Sequence, residues 1–204
     1  MCEELWHVVF APGSALERIG PNCFYMTRIE RIVIPKGVIK IECNAFKDCE
    51  NLKEVVFEEE SRLRTLMESA FWRCNSLAKI SLPEGLKSIG DSVFQDCRNL
   101  KDIHLPEGLE TIGEDCFWNS GLEEIIFPAS VKEVGARAFY KCEHLKRVLL
   151  GEKLEKLSEK EVGGGDKYKG PAFVHSAVKN IMLLSVLKTV EAETFSWCEN
   201  LKSV

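Results

Sequence analysis

Nine cysteines and four histidines are the residues of this chain best equipped for chemistry. A thiol beside an imidazole makes a nucleophile, provided that the thiol is accessible and its pKa is depressed. Two places bring the types together along the chain: Cys142 with His144, and Cys97 ahead of His104. His7 and His175 stand in no ligand spacing. A structural zinc site needs closely spaced thiol pairs, and no Cys-x-x-Cys occurs. An odd number of cysteines also fits poorly with a disulfide framework. The run Gly163-Gly164-Gly165-Asp166-Lys167-Tyr168-Lys169-Gly170 lacks the Gly-Lys-Ser/Thr ending of a phosphate loop. It is expected to be a flexible surface insertion; the alternative is a contact loop with Tyr168 as its aromatic anchor for a partner.

The placement of the cysteines explains them better than catalysis does. Cys49, Cys74, Cys97, Cys142 and Cys198 each follow a phenylalanine by three residues, and Cys2 stands at the same repeat position. Those phenylalanines belong to a longer series: Phe24, Phe46, Phe71, Phe94, Phe117, Phe139, Phe173 and Phe195. Steps of 22 to 25 residues separate them, except for one of 34 that contains the glycine-rich run. Thr27, Ser120 and Ser176 take the Cys position in units whose turn is one residue shorter. A thiol that alternates with Thr and Ser in a repeat is a small structural residue. The expectation is a ladder of reduced, buried thiols and no catalytic site.

A period between 20 and 50 residues is the signature of a solenoid. The clearest unit reads Ile89-Gly90-Asp91-Ser92-Val93-Phe94-Gln95-Asp96-Cys97-Arg98-Asn99-Leu100-Lys101-Asp102-Ile103-His104-Leu105-Pro106. Its second half alternates apolar and polar residues, the pattern of a half-buried strand. Pro106 closes that strand, and Glu107-Gly108 makes the turn into the next coil. The pieces equivalent to Leu86–Gly90 read as second, shorter extended segments. Asp91 to Phe94 has room for no more than a helical or 3₁₀ turn. One unit cannot enclose its own apolar side, so the coils must stack.

The run Ala-Phe-x-x-Cys-x-x-Leu-x-x-Ile-x-Leu-Pro-x-x-Leu-x-x-Ile-Gly resembles the BspA-type leucine-rich repeat. The resemblance extends over essentially the whole chain, with one degenerate unit at Val162 where a Phe is due. It implies an α/β repeat solenoid, rich in β structure. The expected form is a right-handed leucine-rich-repeat superhelix with a parallel sheet and short helical or 3₁₀ turns. It further implies protein binding or adhesion, without enzymatic activity, at a cell surface or in a secreted setting.

Residues 1–204 then form a single solenoid domain, with partial repeats at both ends and a loop insertion at about 163–170. The unfinished repeats raise a second reading: a spacer or assembly element that associates end to end through uncapped coils. The net charge of −5 argues against nucleic acid, which requires a basic stripe. No apolar run reaches the length of a membrane helix, and the first residues show no basic segment followed by an apolar one, so no signal peptide is expected among them. No cofactor is expected.

The expected binding surface is the outward column of the longer strands. Side chains alternate along a strand, so the residue between the two buried aliphatics faces solvent. Those residues are Val9, Val33, Val56, Ser81, His104, Ile126, Leu149 and Met182. At about 4.8 Å per coil they make a stripe on the order of 40 Å long. Contiguous exposed apolar surface marks a partner site. A flanking column of Arg31, Glu54, Lys79, Asp102, Glu124, Arg147 and Asn180 rims it with mixed charge. Trp72 and Trp118, each next to a repeat Phe, and Trp197, two residues after Phe195, shield the turns and offer an aromatic edge.

Overall fold

The computed structural model describes residues 4–158, 170–182, 187 and 194–202. The chain winds into successive coils with strands on two faces. One face is a continuous parallel sheet of seven two-residue strands. These are β1 (Arg18–Ile19), β3 (Lys40–Ile41), β5 (Thr65–Leu66), β7 (Ser88–Ile89), β9 (Thr111–Ile112), β11 (Glu133–Val134) and β13 (Lys156–Leu157). The register joins equivalent residues of adjacent coils: Ile41 opposite Leu66, and Leu66 opposite Ile89. The apolar member of each strand points into the core, and its polar neighbour points out.

The longer strands lie on the other face, in three parallel pairs. β2 (Arg31–Ile34) pairs with β4 (Glu54–Phe57), β6 (Lys79–Ser81) with β8 (Asp102–His104), and β10 (Glu124–Ile126) with β12 (Arg147–Leu149). No ladder joins β4 to β6 or β8 to β10. The sequence leads one to expect a single sheet on this face. The continuous sheet lies instead on the face of the shorter strands.

The expected helical or 3₁₀ turns are corrected by the structure, and with them the α component of the fold. Among the described residues there is no helix. Around each Phe the amides alternate between two kinds of partner. Cys23, Tyr25 and Thr27 donate to carbonyls three residues back; Asn22, Phe24 and Met26 donate to Cys43, Ala45 and Lys47 in the next coil. The same alternation recurs around Phe46, Phe71, Phe94 and Phe117. It requires a left-handed residue two before and two after the Phe, and Ser92 and Asp96 have φ of 56° and 57°. A helix cannot tolerate that interruption, because its residues must all be right-handed. The product is a β-solenoid whose third side is a ladder of tight turns.

The core is one continuous column. The rings from Phe24 to Phe195 stack nearly parallel, with centroids 5.0 to 5.9 Å apart. That spacing follows the coil repeat, which is the strand separation of a sheet. Phe46, Phe71, Phe94, Phe117, Phe139 and Phe173 are fully buried. The small residue before each Phe is buried beneath the next coil in most units, as Ala45, Ala70, Val93, Cys116, Ala138 and Ala172. Where Ser120 replaces Cys, the shortened turn draws Gly121 under Arg98, and a Cβ there would strike the Arg98 carbonyl. One buried charge pair spans the turn side, where Arg137 makes a two-pronged contact with Asp115 at 2.7 Å on each prong. Residues 159–169, including Val162, most of the glycine-rich insertion and Tyr168, lie outside the described residues.

Candidate functional site: the face of the paired strands

The thiols are held where they can do little chemistry. Cys49, Cys74, Cys97, Cys142 and Cys198 each donate to the carbonyl oxygen of the Phe one coil earlier, at 2.9 to 3.2 Å. In the shorter units the hydroxyls of Thr27, Ser120 and Ser176 lie 3.4 to 3.5 Å from the next coil's thiol and extend the ladder. Burial pushes Cys97 and Cys142 up to about 12, and Cys74 and Cys116 well above the ordinary thiol range. The described cysteines are free, and among them only Cys23 is exposed. His104 turns outward, with Nε2 at 3.7 Å from Glu84 Oε1, while Cys97 is fully buried. Among the described residues no cluster of His, Cys, Asp and Glu is arranged to hold a metal ion.

The outward column does sit on the surface, but it is divided. Register places Val33 beside Val56, Ser81 beside His104, and Ile126 beside Leu149. The first pair is apolar and half-buried, the second polar and exposed, and the third apolar and exposed. Exposure is 56% at Ile126, 40% at Leu149, 76% at Met182 and 90% at Val9. The stripe is therefore two apolar patches separated by Ser81 and His104. Tyr168, the candidate in the glycine-rich insertion, is among the residues not described.

Two grooves open where ladders are missing. The larger, of about 810 Å³, runs between β4 and β6 and includes Val56 and Ser81 in its walls. The second, of about 700 Å³, runs between β8 and β10 and includes His104 and Ile126. Nothing in the spacing of the repeat announced them, because every strand reads alike. The one local signal is the lengthened segment Phe57-Glu58-Glu59-Glu60-Ser61, which borders the larger groove.

The flanking charges pair along the coils. Arg31 meets Glu54, and Arg147 meets Glu124 at 3.1 Å; the next row adds Lys53 with Glu30 at 2.9 Å. These pairs are largely exposed, so they fix orientation and contribute little stability. On the turn side, the Trp118 and Tyr140 rings lie 4.6 Å apart. His175 meets Tyr140 edge-on at 5.4 Å and stacks on Trp197 at 5.6 Å. Lys47 covers Trp72 at 3.9 Å. The aromatic edge thus exists, with Trp197 as its exposed end.

The model of the BspA type leucine rich repeat region matches residues 17–160 and 167–204, in six copies. The chain belongs to the BspA-type leucine-rich repeat family. Solved structures of bacterial leucine-rich repeat proteins share the coil. A leucine-rich repeat protein from Bacteroides ovatus is 28% identical with a TM-score of 0.75, covering 100% of this chain and 55% of its own. The T. pallidum leucine-rich repeat protein is 30% identical with a TM-score of 0.64, covering 71% of this chain and 68% of its own. A leucine-rich cell surface protein from Faecalibacterium prausnitzii is 23% identical with a TM-score of 0.56; it covers 91% of this chain and 57% of its own. The chain thus spans little more than half of the Bacteroides and Faecalibacterium proteins. No curated protein matches it. BspA-type repeats, like leucine-rich repeats generally, are protein-interaction modules, typically without catalytic activity. Among the described residues no helix is long and apolar enough to cross a membrane.

Proposed function

We propose that this BspA-type repeat binds a protein partner through the face of β2, β4, β6, β8, β10 and β12, and catalyses no reaction. The observation that carries the reading is the exposure of Ile126 and Leu149 side by side on paired strands. Large aliphatics on a solvent face raise the cost of the free state, and covering them returns that cost. The charged row of Arg31, Glu54, Glu124 and Arg147 beside the column supplies a rim that sets orientation. Against catalysis stands the thiol ladder: burial disfavours the thiolate at Cys49, Cys74, Cys97 and Cys142, and each of these thiols is committed to a backbone carbonyl. A cell-surface setting, as described for the Faecalibacterium protein, belongs to the same reading.

The test is retention of a partner from extracts of the environment the chain faces. Wild-type protein and the double variant Ile126→Asp/Leu149→Asp are immobilised at equal density. A partner held by the first and lost from the second supports the reading. A partner held equally by both places the binding surface elsewhere.

A further inference from the structure

We propose that the groove between β4 and β6 receives an extended, positively charged peptide segment that carries an aliphatic or aromatic residue. The proposal rests on the reading of the paired-strand face as a protein-binding surface, and it assigns the partner's chemistry.

Three observations converge on this groove. The first is its floor. Val56, Phe57, Ile80 and Pro83 line it; Phe57 is half-buried, as are its counterparts Phe10 and Leu150, whereas Ile34, Leu82, Leu105 and Phe127 are buried. The loop after β4 is two residues longer than in most coils and leaves that ring partly uncovered. In the groove between β8 and β10, Leu105 and Phe127 are buried. The volume of about 810 Å³ is that of a ligand cleft and suits a short stretch of several residues.

The second is the backbone. β4 and β6 lie side by side with no ladder between them, so their edge amides and carbonyls are not committed to each other. The Cα atoms of the two strands come within 8 Å of each other, too close for a further strand to enter between them, so a bound segment lies across the groove and reaches these groups only from above.

The third is charge. Lys53 and Glu54 are offset by Glu30 and Arg31 in the preceding coil. Lys36 serves the lip, with Nζ at 3.6 Å from Glu60 and its amide donating to Glu58 at 2.9 Å. Glu59 has no ion-pair partner among the described residues. Glu84 meets only His104 at 3.7 Å, a cation only when protonated. Against these carboxylates stand the amine of Lys79 and the guanidinium of Arg64, which donates to the Gly85 carbonyl on the groove's edge at 2.7 Å. A negative lip over an apolar floor selects Lys or Arg beside an apolar residue, and it repels acidic segments.

The probe is a phage-displayed library of random peptides, about twelve residues long, panned on the immobilised chain. Enriched peptides are then synthesised and titrated against four proteins: wild type, Glu59→Lys/Glu84→Lys, Val56→Asp and Ile126→Asp/Leu149→Asp. The expected peptides carry Lys or Arg around an apolar residue. Their Kd should weaken at least tenfold in the first two variants, less than twofold in the third, and rise with salt. Glu59 and Glu84 are exposed, so that variant folds whatever happens at the half-buried Val56. Peptides without a basic excess, peptides indifferent to the groove variants, or no enrichment at all overturn the proposal. Loss confined to Ile126→Asp/Leu149→Asp removes the groove and leaves the wider face standing. Indifference to every variant removes both.

Discussion

The Cys97 thiol donates a hydrogen bond to the Phe71 carbonyl oxygen, 3.1 Å away in the preceding coil. That carbonyl also accepts the Cys74 amide of its own coil. The thiol thus fastens one turn ladder to the next at the point where the rings stack. This is why Cys alternates with Thr and Ser at this position, since each can donate to a carbonyl from a small side chain.

Alkaline stability follows from these thiols. In the folded chain Cys97 and Cys142 keep their protons to about pH 12, because burial disfavours the thiolate. Unfolded, they release them near pH 8.5. Their stabilising contribution is complete below that value and is lost as pH rises toward 12. The loss is about 1.4 kcal/mol per pH unit for each thiol. Thermal melts of wild type should therefore fall steeply above about pH 9. Cys97→Ser should show a shallower fall, and an unchanged slope would contradict the assignment.

The Arg137–Asp115 fork predicts a different loss. The Arg137 side chain is 5% exposed and that of Asp115 17%. Arg137→Met removes the positive partner and leaves a carboxylate largely shielded from water. A destabilisation on the order of 3 kcal/mol is expected. The double variant Arg137→Met/Asp115→Leu should recover much of it. Urea unfolding midpoints check both, and equal losses in the single and double variants would show that the unpaired Asp115 carboxylate carries no burial cost, against the assignment.

How much of this could be read from the residues depends on whether a feature repeats. The stack of Phe71, Phe94 and Phe117 and the strand at Ser88–Ile89 follow from a period that the sequence displays openly. The stretch from Asp91 to Phe94 reads along the chain as a helical turn, and the left-handed Ser92 within it does not show, because a four-residue apolar-polar run has the same composition in either form. The one hint was the recurrence of Asn22, Asn44 and Asp115 two residues before Phe, since short polar side chains tolerate the left-handed region best. The outward placement of Ile126 and Leu149 followed from strand alternation. Their pairing with each other and the gap between Val56 and Ser81 did not. Which coils share a ladder depends on small rotations between coils, and Val33, Val56 and Ile126 look equivalent along the chain.

The most direct test of the proposed binding face is a footprint of the chain in complex with its partner, read by hydroxyl-radical oxidation and mass spectrometry. The account predicts that Ile126, Leu149 and Met182 are protected on binding, while the outward residues Lys40, Thr65 and Thr111 of the seven-stranded sheet keep their reactivity. Protection of the seven-stranded sheet, with Ile126 and Leu149 still oxidised at the rate of the free protein, would contradict it.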